Sequence, residues 1–196
     1  MSHPHLLLVE GEDDAHAIRN LLAHHDISSA FAQEAGARHQ IVIKKVKGVE
    51  NFSTSIRNEL KVGPDLSAIG VVADADQSVR DEWYSLWDAL HTYGDQSAPA
   101  SLNPTGWTGT VPTVEEDEVA AGVWIMPDNE REGALEEFAI QMVPDNDALW
   151  TYSNEVIQGL PERRFSDEHE GKAHIHTWLA WQETPREPIG RAITQE

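Results

Sequence analysis

The feature that most constrains this chain is Ile69-Gly70-Val71-Val72-Ala73-Asp74-Ala75-Asp76, an apolar run that ends in two carboxylates one residue apart. A β-branched run of this kind suits a strand covered on both faces of a parallel sheet, and ligands of such sheets gather at the carboxyl ends of the strands. Side chains two apart on an extended segment point the same way, so Asp74 and Asp76 can face one ion if strand geometry persists through Ala75. Oxygen-only ligands at that spacing suit Mg²⁺ or Mn²⁺. The competing reading is a strand that runs into an acidic turn, where Asp is common.

The segments around this run repeat a strand-turn-helix pattern. His5 to Val9 reads as an apolar strand that ends in Glu10-Gly11-Glu12-Asp13-Asp14. A helix should follow, capped by Asp13 or Asp14, with Ala15, Ile18, Leu21 and Leu22 at helical spacing. Ile41 to Val46 reads as a second strand and Val49 to Leu60 as a helix closed by Gly63-Pro64. After the central run, Val79, Trp83, Leu86, Trp87 and Leu90 make an apolar helical stripe that belongs in a core. Gly94 to Thr113 is rich in Pro, Gly, Ser and Thr and reads as a loop or short hairpin inserted at the edge of the fold. Ala121 to Met126 gives another strand, ending in Pro127-Asp128-Asn129, and Leu135 to Met142 another helix. This alternation predicts an α/β fold, a Rossmann-like parallel sheet of about four strands with helices on both faces. Asp145 to Leu160 and Gly171 to Gln182 are helix-compatible. The expected organisation is therefore a core over 1–145, with its insertion near 94–113, and a helical C-terminal extension over 146–196 packed on it.

A chain of 196 residues supports one domain with a sizeable core. It has no cysteine, which excludes disulfides, thiolate metal sites and Cys nucleophiles, so any metal must use carboxylate or imidazole. No stretch approaches the roughly 18 apolar residues of a membrane span, and Met1 to Val9 is too short for a signal peptide, so a cytoplasmic protein without membrane contact is expected. The net charge of −20 repels a polyanion unless cations intervene. That charge is uneven: Pro112 to Asp147 holds eleven acids and one base, whereas Gly36 to Lys61 holds six bases and two acids.

Glu10, Asp74, Asp76 and Asp128 each follow an apolar strand, so a parallel sheet would bring them to one edge. Like charges at that distance raise one another's pKa, and a divalent cation resolves the conflict. Val9-Glu10-Gly11, with Asp13 and Asp14 soon after, followed by Val72-Ala73-Asp74-Ala75-Asp76, resembles the Toprim domain. That family includes topoisomerases, bacterial primases, recombination mediators, a 5S rRNA maturase and the overcoming-lysogenisation-defect nucleases. The resemblance spans roughly residues 5–142. Met126-Pro127-Asp128-Asn129, Gly133-x-Leu135-Glu136 and the segment from Lys172 to Ala180 are similar to small stand-alone Toprim-like proteins.

The resemblance implies Mg²⁺-dependent work on phosphodiesters. Asp74 and Asp76 would hold the metal, while Glu10 would hold a metal or act as general base. By the same likeness Glu136 would complete the ligands and Lys172 would neutralise transition-state charge, with Asp14 as a further candidate. Lys45 and Lys47 could hold the phosphates flanking the scissile bond if they lie on the loop at the sheet's carboxyl edge. The reading is thus a nuclease on DNA or RNA, in a prokaryotic defence or nucleic-acid processing setting. Its rivals are a non-catalytic module that binds a protein partner such as an ATPase, and a phosphohydrolase of small nucleotides. For individual residues other roles compete: a helix-capping acid for Glu10, an N-cap for Asp76, a turn residue for Asp128, and solvated surface for Glu136 and Lys172. His174-x-His176 falls on an expected helix, where positions two apart diverge by about 200° and cannot share an ion.

Overall fold

The computed structural model describes residues 5–34, 41–46, 49–62, 66–95, 97, 99, 101–185 and 188–192. Six strands form one sheet: β1 (His5–Val9), β2 (Ser29–Phe31), β3 (Ile41–Lys45), β4 (Ala68–Asp74), β5 (Trp107–Pro112) and β6 (Glu118–Met126). Their spatial order is β2-β3-β1-β4-β6-β5, with every pairing parallel except the antiparallel β5-β6 hairpin. Among the described residues, seven helices accompany them: α1 (Glu12–His24), α2 (Val49–Val62), α3 (Val79–Leu90), α4 (Leu135–Gln141), α5 (Ala148–Gln158), α6 (Glu170–Leu179) and α7 (Ile189–Ala192), with a 3-10 turn at Asp167–His169.

The α/β class and the parallel, doubly covered sheet are as the alternating pattern requires, but the sheet has six strands rather than about four. The two additional strands are its edges. β2 is three residues long, too short to display a periodicity, and β5 carries Gly109 and Pro112, which in sequence read as loop punctuation. Pro112 is tolerated because an edge strand leaves one side of the ladder unpaired.

Strand alternation sorts the core into two layers. Leu6 and Leu8 of β1, Ile69, Val71 and Ala73 of β4, and Val123 and Ile125 of β6 pack with Phe52, Ile56 and Leu60 of α2 and with Trp83, Leu86 and Leu90 of α3. On the other face, Val9, Ile43, Val72 and Met126 pack with Ala15 and Ala17 of α1, Leu135 and Ala139 of α4, Ile175 and Leu179 of α6, and Ile189 of α7. The Trp83 and Trp87 stripe of α3 meets Trp107 of β5, with ring centroids 5.7 and 5.4 Å apart, which ties the edge hairpin to the first layer. Burying this much apolar area is the main source of stability. Among the described residues, no helix is long and apolar enough to cross a membrane.

The C-terminal turn is fitted to α1 at the backbone. A methyl at Gly190 would stand 2.5 Å from the carbonyl oxygen of Asp13 and 2.7 Å from the amide nitrogen of Ala17, while Asn20 Nδ2 donates to the Gly190 carbonyl at 2.5 Å. Backbone cannot yield as a side-chain tip can, so Gly190→Ala should destabilise the protein by about 1–3 kcal/mol. At this chain length that lowers Tm by roughly 2–4 °C per kcal/mol. Gly122→Ala makes the control, because a methyl there meets only ordinary contacts at 3.6 and 3.8 Å. Thermal and urea denaturation should separate the two, and equal stability of both variants would exclude the tight α1 contact.

Candidate metal centre

The strand order reverses between β1 and β4. From β1 the chain passes through α1 to the edge strand β2 and back inward to β3 beside β1, then α2 carries it across the sheet to β4 on the other side of β1. Crevices at such a switch point, beyond the carboxyl ends of the strands, are where open α/β sheets take ligands. Glu10 directly follows β1 and Asp74 ends β4, so these two acids flank that crevice. A cleft of about 980 Å³ opens there, lined by Glu10, Asp14, Asp74, Asp76, Glu136 and Lys172 among others.

Each acid reaches the cleft by a different local route. Asp74 shares strand parity with Val72, so it faces the α1 and α4 side. Asp76 is not there by alternation, because β4 ends at Asp74 and Asp76 adopts a left-handed φ of 48°. It is held by a two-way backbone bridge to Gly133, with the two N–H···O distances at 3.0 Å. Asp tolerates this conformation better than most residues. The N-cap of α3 is Ser78, whose Oγ accepts from the Asp81 amide at 3.2 Å, so Asp76 is not the cap.

In α1 the N-cap position falls on Gly11 rather than on Asp13 or Asp14. Asp14, in the third helical position, reaches back to accept from the Gly11 amide at 3.0 Å and is only 8 % exposed. The fit there is tight, since a methyl at position 11 would sit 3.0 Å from Asp14 Oδ2. Glu10 has no capping role to play: its Oε2 is buried and meets no hydrogen-bond donor. Asp74 Oδ1 is in the same condition. Buried polar atoms are nearly always paired, so two carboxylate oxygens without a protein donor at one strand edge mark it as a candidate ligand site.

The electrostatics follow. Burial, reinforced by Asp14, Glu10, Glu136 and Asp76, pushes the Asp74 carboxyl up to about 8. Burial first, then Asp76 and Asp14, raises Glu10 as well. Burial also raises Asp14, against the Gly11 amide, which works to lower it. Glu136 is placed by α4 and held by Lys172 of α6, with Nζ 2.9 Å from Oε1; that hydrogen bond raises the Lys172 ammonium above its usual range.

Other expected site residues lie elsewhere. Asp128 does not line the cleft; it is the turn residue, accepting from the amides of Glu130 and Arg131 at 3.2 and 2.9 Å and from Arg131 Nε at 2.6 Å. Burial at the turn works to raise its pKa, but these donors outweigh it and hold the carboxyl low. Lys45 stands at the end of β3 and is ion-paired with Glu12 of the cleft, while Lys44 points to the opposite face and pairs with Glu59 at 2.5 Å. Lys47, with Arg38 and Gly63-Pro64, lies outside the described residues. His174 is packed near Trp150, away from the cleft lining.

Three features escaped the sequence reading. Glu82, in the first turn of α3, has a buried, unpartnered Oε1 and is pushed up to about 7 by burial and by Glu10 and Asp76. Its one signal was an acid on the apolar side of the Val79-Trp83-Leu86 stripe. His169 lines the cleft with Nδ1 2.9 Å from Ser166 Oγ, and Glu168 closes toward Gln77, whose Nε2 donates at 3.0 Å. Finally, Glu137 fills the gap between Gly133 and Gly171, and its Oε2 accepts from the Ala134 amide at 2.9 Å. Among the described residues, no three carboxylate or imidazole groups are drawn around one point. The fit to a cation therefore rests on the orphaned oxygens and on the oxygen-only donor set.

The raised carboxyls set a pH dependence. Asp74 at about 8, and Glu82 at about 7, bind protons in the folded state that the unfolded chain has released above about pH 4. The folded state thus holds more protons between about pH 4 and 8, so metal-free stability should fall as pH rises through that window. Thermal denaturation in chelator at pH 5.5, 7 and 8.5 should show Tm declining. Asp74→Asn should flatten the decline and raise Tm at pH 8.5. A Tm that climbs with pH would mean these carboxyls are not buried together.

Comparison with curated proteins and with solved structures finds no match. Residues 4–196 match the model of the family described as a protein of unknown function (DUF3226), and because that match spans nearly the whole chain, the protein belongs to this family.

Proposed function

We propose that the protein is a Toprim-like, divalent-metal-dependent phosphodiester hydrolase of the nuclease kind. The observation that carries the reading is the pair of buried oxygens without a protein donor, Glu10 Oε2 and Asp74 Oδ1, at the carboxyl ends of the two strands that flank the switch point. An acid with a purely structural role takes a hydrogen bond, an ion pair or water, and these two oxygens have no protein donor.

Glu10, Asp74 and Asp76, with Glu136 and Asp14 beside them, would hold Mg²⁺ or Mn²⁺ through oxygen alone. A bound divalent ion supplies Lewis-acid polarisation of a phosphoryl oxygen and lowers the pKa of a water. Glu10 is a ligand or the acceptor of the proton that the attacking water gives up. Lys172, fixed by Glu136, offers positive charge to the phosphoryl oxygens as negative charge builds on them. The net reaction consumes one water, breaks one P–O bond and yields a phosphomonoester and an alcohol. An interaction module with the same fold accounts for the acidic surface, but it has no need of buried, unpaired carboxylates, which cost stability.

Millimolar Mn²⁺ or Mg²⁺ should raise Tm by mass action, and the shift should shrink in Asp74→Asn. With either metal, the purified chain should hydrolyse bis(p-nitrophenyl) phosphate, an activated diester that demands little of the binding site. Asp74→Asn should abolish this turnover, and Lys172→Ala should lower kcat by roughly 10²–10³. The absence of both a thermal shift and metal-dependent turnover would sink the reading.

A further inference from the structure

The cleft carries an unusual balance of charge for a site that acts on phosphate. Eleven carboxylates line it: Glu10, Asp14, Asp74, Asp76 and Glu136 in its centre, and Glu12, Asp13, Glu132, Glu137, Asp167 and Glu168 around them. Besides the imidazole of His169, Lys172 is the one basic group among the described lining residues. Two divalent ions and Lys172, with Lys45 on Glu12 and Arg163 on Asp167, would offset seven of the eleven charges at most. Among the described residues, the cations that approach from outside are paired with the protein's own acids. Lys45 pairs with Glu12, Arg163 with Asp167 and Glu170 at 3.0 and 3.1 Å, and Arg131 with Asp128 at 2.5 Å.

A nucleic-acid strand brings one charge about every 3.4 Å along its axis, and its affinity comes chiefly from basic side chains that replace its counterions. Within a Debye length of about 10 Å at 0.1 M salt, the phosphates flanking the reacting one would lie against uncompensated carboxylates. A small ester does not meet this obstacle, because its one or two phosphates can sit wholly on the metal-bearing centre and Lys172. The cleft volume of about 980 Å³ is also that of a small-ligand pocket.

We infer that the substrate is a small phosphodiester of dinucleotide size, carrying one or two phosphates, and that the acidic rim excludes longer strands. This rests on the phosphodiester-hydrolase reading above. Glu168 and Glu132, with Asp167 beside its Arg163 partner, act as the filter: they admit a ligand whose charge ends at the centre and repel one whose charge continues past the rim.

The test compares a dinucleoside monophosphate with a single strand of about 20 nucleotides, in DNA and RNA forms, using the full chain with saturating Mn²⁺. The dinucleotide should show a kcat/KM per cleavable bond at least about tenfold higher at low salt, the lower end of what steering fields produce. Raising NaCl from about 20 mM to about 0.3 M should narrow the gap by accelerating strand cleavage, because screening removes repulsion. Neutralising the rim in Glu132→Gln/Asp167→Asn/Glu168→Gln should raise strand cleavage several-fold and leave the dinucleotide rate within about twofold. These three residues are exposed, so the variant should fold as the parent does. Strand cleavage as fast per bond as dinucleotide cleavage, or slowed by salt, would overturn the inference while leaving the hydrolase reading intact. Turnover of the activated diester without dinucleotide cleavage would also overturn it. Failure on the activated diester as well would remove the hydrolase reading, and this inference with it.

Discussion

The structure is organised around a conflict: Asp74 is withdrawn from water among acids that repel its charge. Desolvation alone disfavours an ionised carboxylate, and each neighbouring acid adds to the penalty. The fold offsets part of this through its helices. In a βα sequence the helix that follows each strand begins at the carboxyl edge, so α1, α3 and α4 turn their amino termini, the positive ends of their dipoles, toward the same side of the sheet. The α1 and α4 termini are further tied down by acids in the third position, Asp14 on the Gly11 amide and Glu137 on the Ala134 amide. These two carboxylates have hydrogen-bond donors; Glu10 Oε2, Asp74 Oδ1 and Glu82 Oε1 do not. The compensation is therefore incomplete, and what remains is the kind of local inconsistency that folded proteins keep at working sites.

The helices beyond α4 help to build the site as well as cover it. Lys172 reaches the cleft because α6 packs against α4, and that approach depends on the absence of a side chain at Gly171. A methyl there would fall 1.9 Å from Glu137 Oε1. Glu137 in turn caps α4 and packs on Gly133, whose backbone holds Asp76 in its left-handed conformation. A continuous set of contacts thus runs from the C-terminal segment through Glu137 and Gly133 to Asp76. Residues far apart in the chain fix one another's geometry here.

That long-range construction explains which parts could be read in the sequence. The strand at Ile69 to Asp74 and the α3 stripe were legible because their patterns are local: an unbroken apolar run and a repeat of three to four residues. The parity that sends Asp74 to the α1 side follows from the same run. Asp76 reaches the cleft by another route than the one its spacing suggests. Alternation would have aligned it with Asp74, whereas the strand ends at Asp74, the backbone turns left-handed at Asp76 itself and a bridge to Gly133 sets its position, which no local pattern encodes. Asp128 is the opposite case, since its place after a strand suggested the site while the nearby Arg131 makes it an ordinary turn acid. Glu136 and Lys172 were each suggested as site residues only by likeness to a family, and their ion pair was not foreseen, as nothing in the spacing of two residues on separate helices requires them to meet. β5 was half legible: a short hairpin at the edge of the fold was one of the two readings of 94–113, but its glycine and proline, which an edge strand tolerates, look like loop residues.

Glu82 changes how the site as a whole must be understood. It belongs to the layer of α2 and α3, yet the two acids that raise it are Glu10 and Asp76, from other elements. Glu10 in turn is raised by Asp76 and Asp14, and Asp74 by Asp14, Glu10, Glu136 and Asp76. Groups coupled in this way release protons as a set, and the steps of their titration belong to the set rather than to single residues. Neutralising one member changes the proton affinity of the rest, so the energetic effects of substitutions at Glu10, Asp74 and Glu82 cannot add independently. A cation bound in the cleft would act on all of these carboxylates at once, and its affinity would accordingly be a property of the ensemble. The site is therefore a single electrostatic unit built across β1, β4, α1, α3 and α4, and the same coupling that makes it costly to fold without a counter-charge makes it responsive to one.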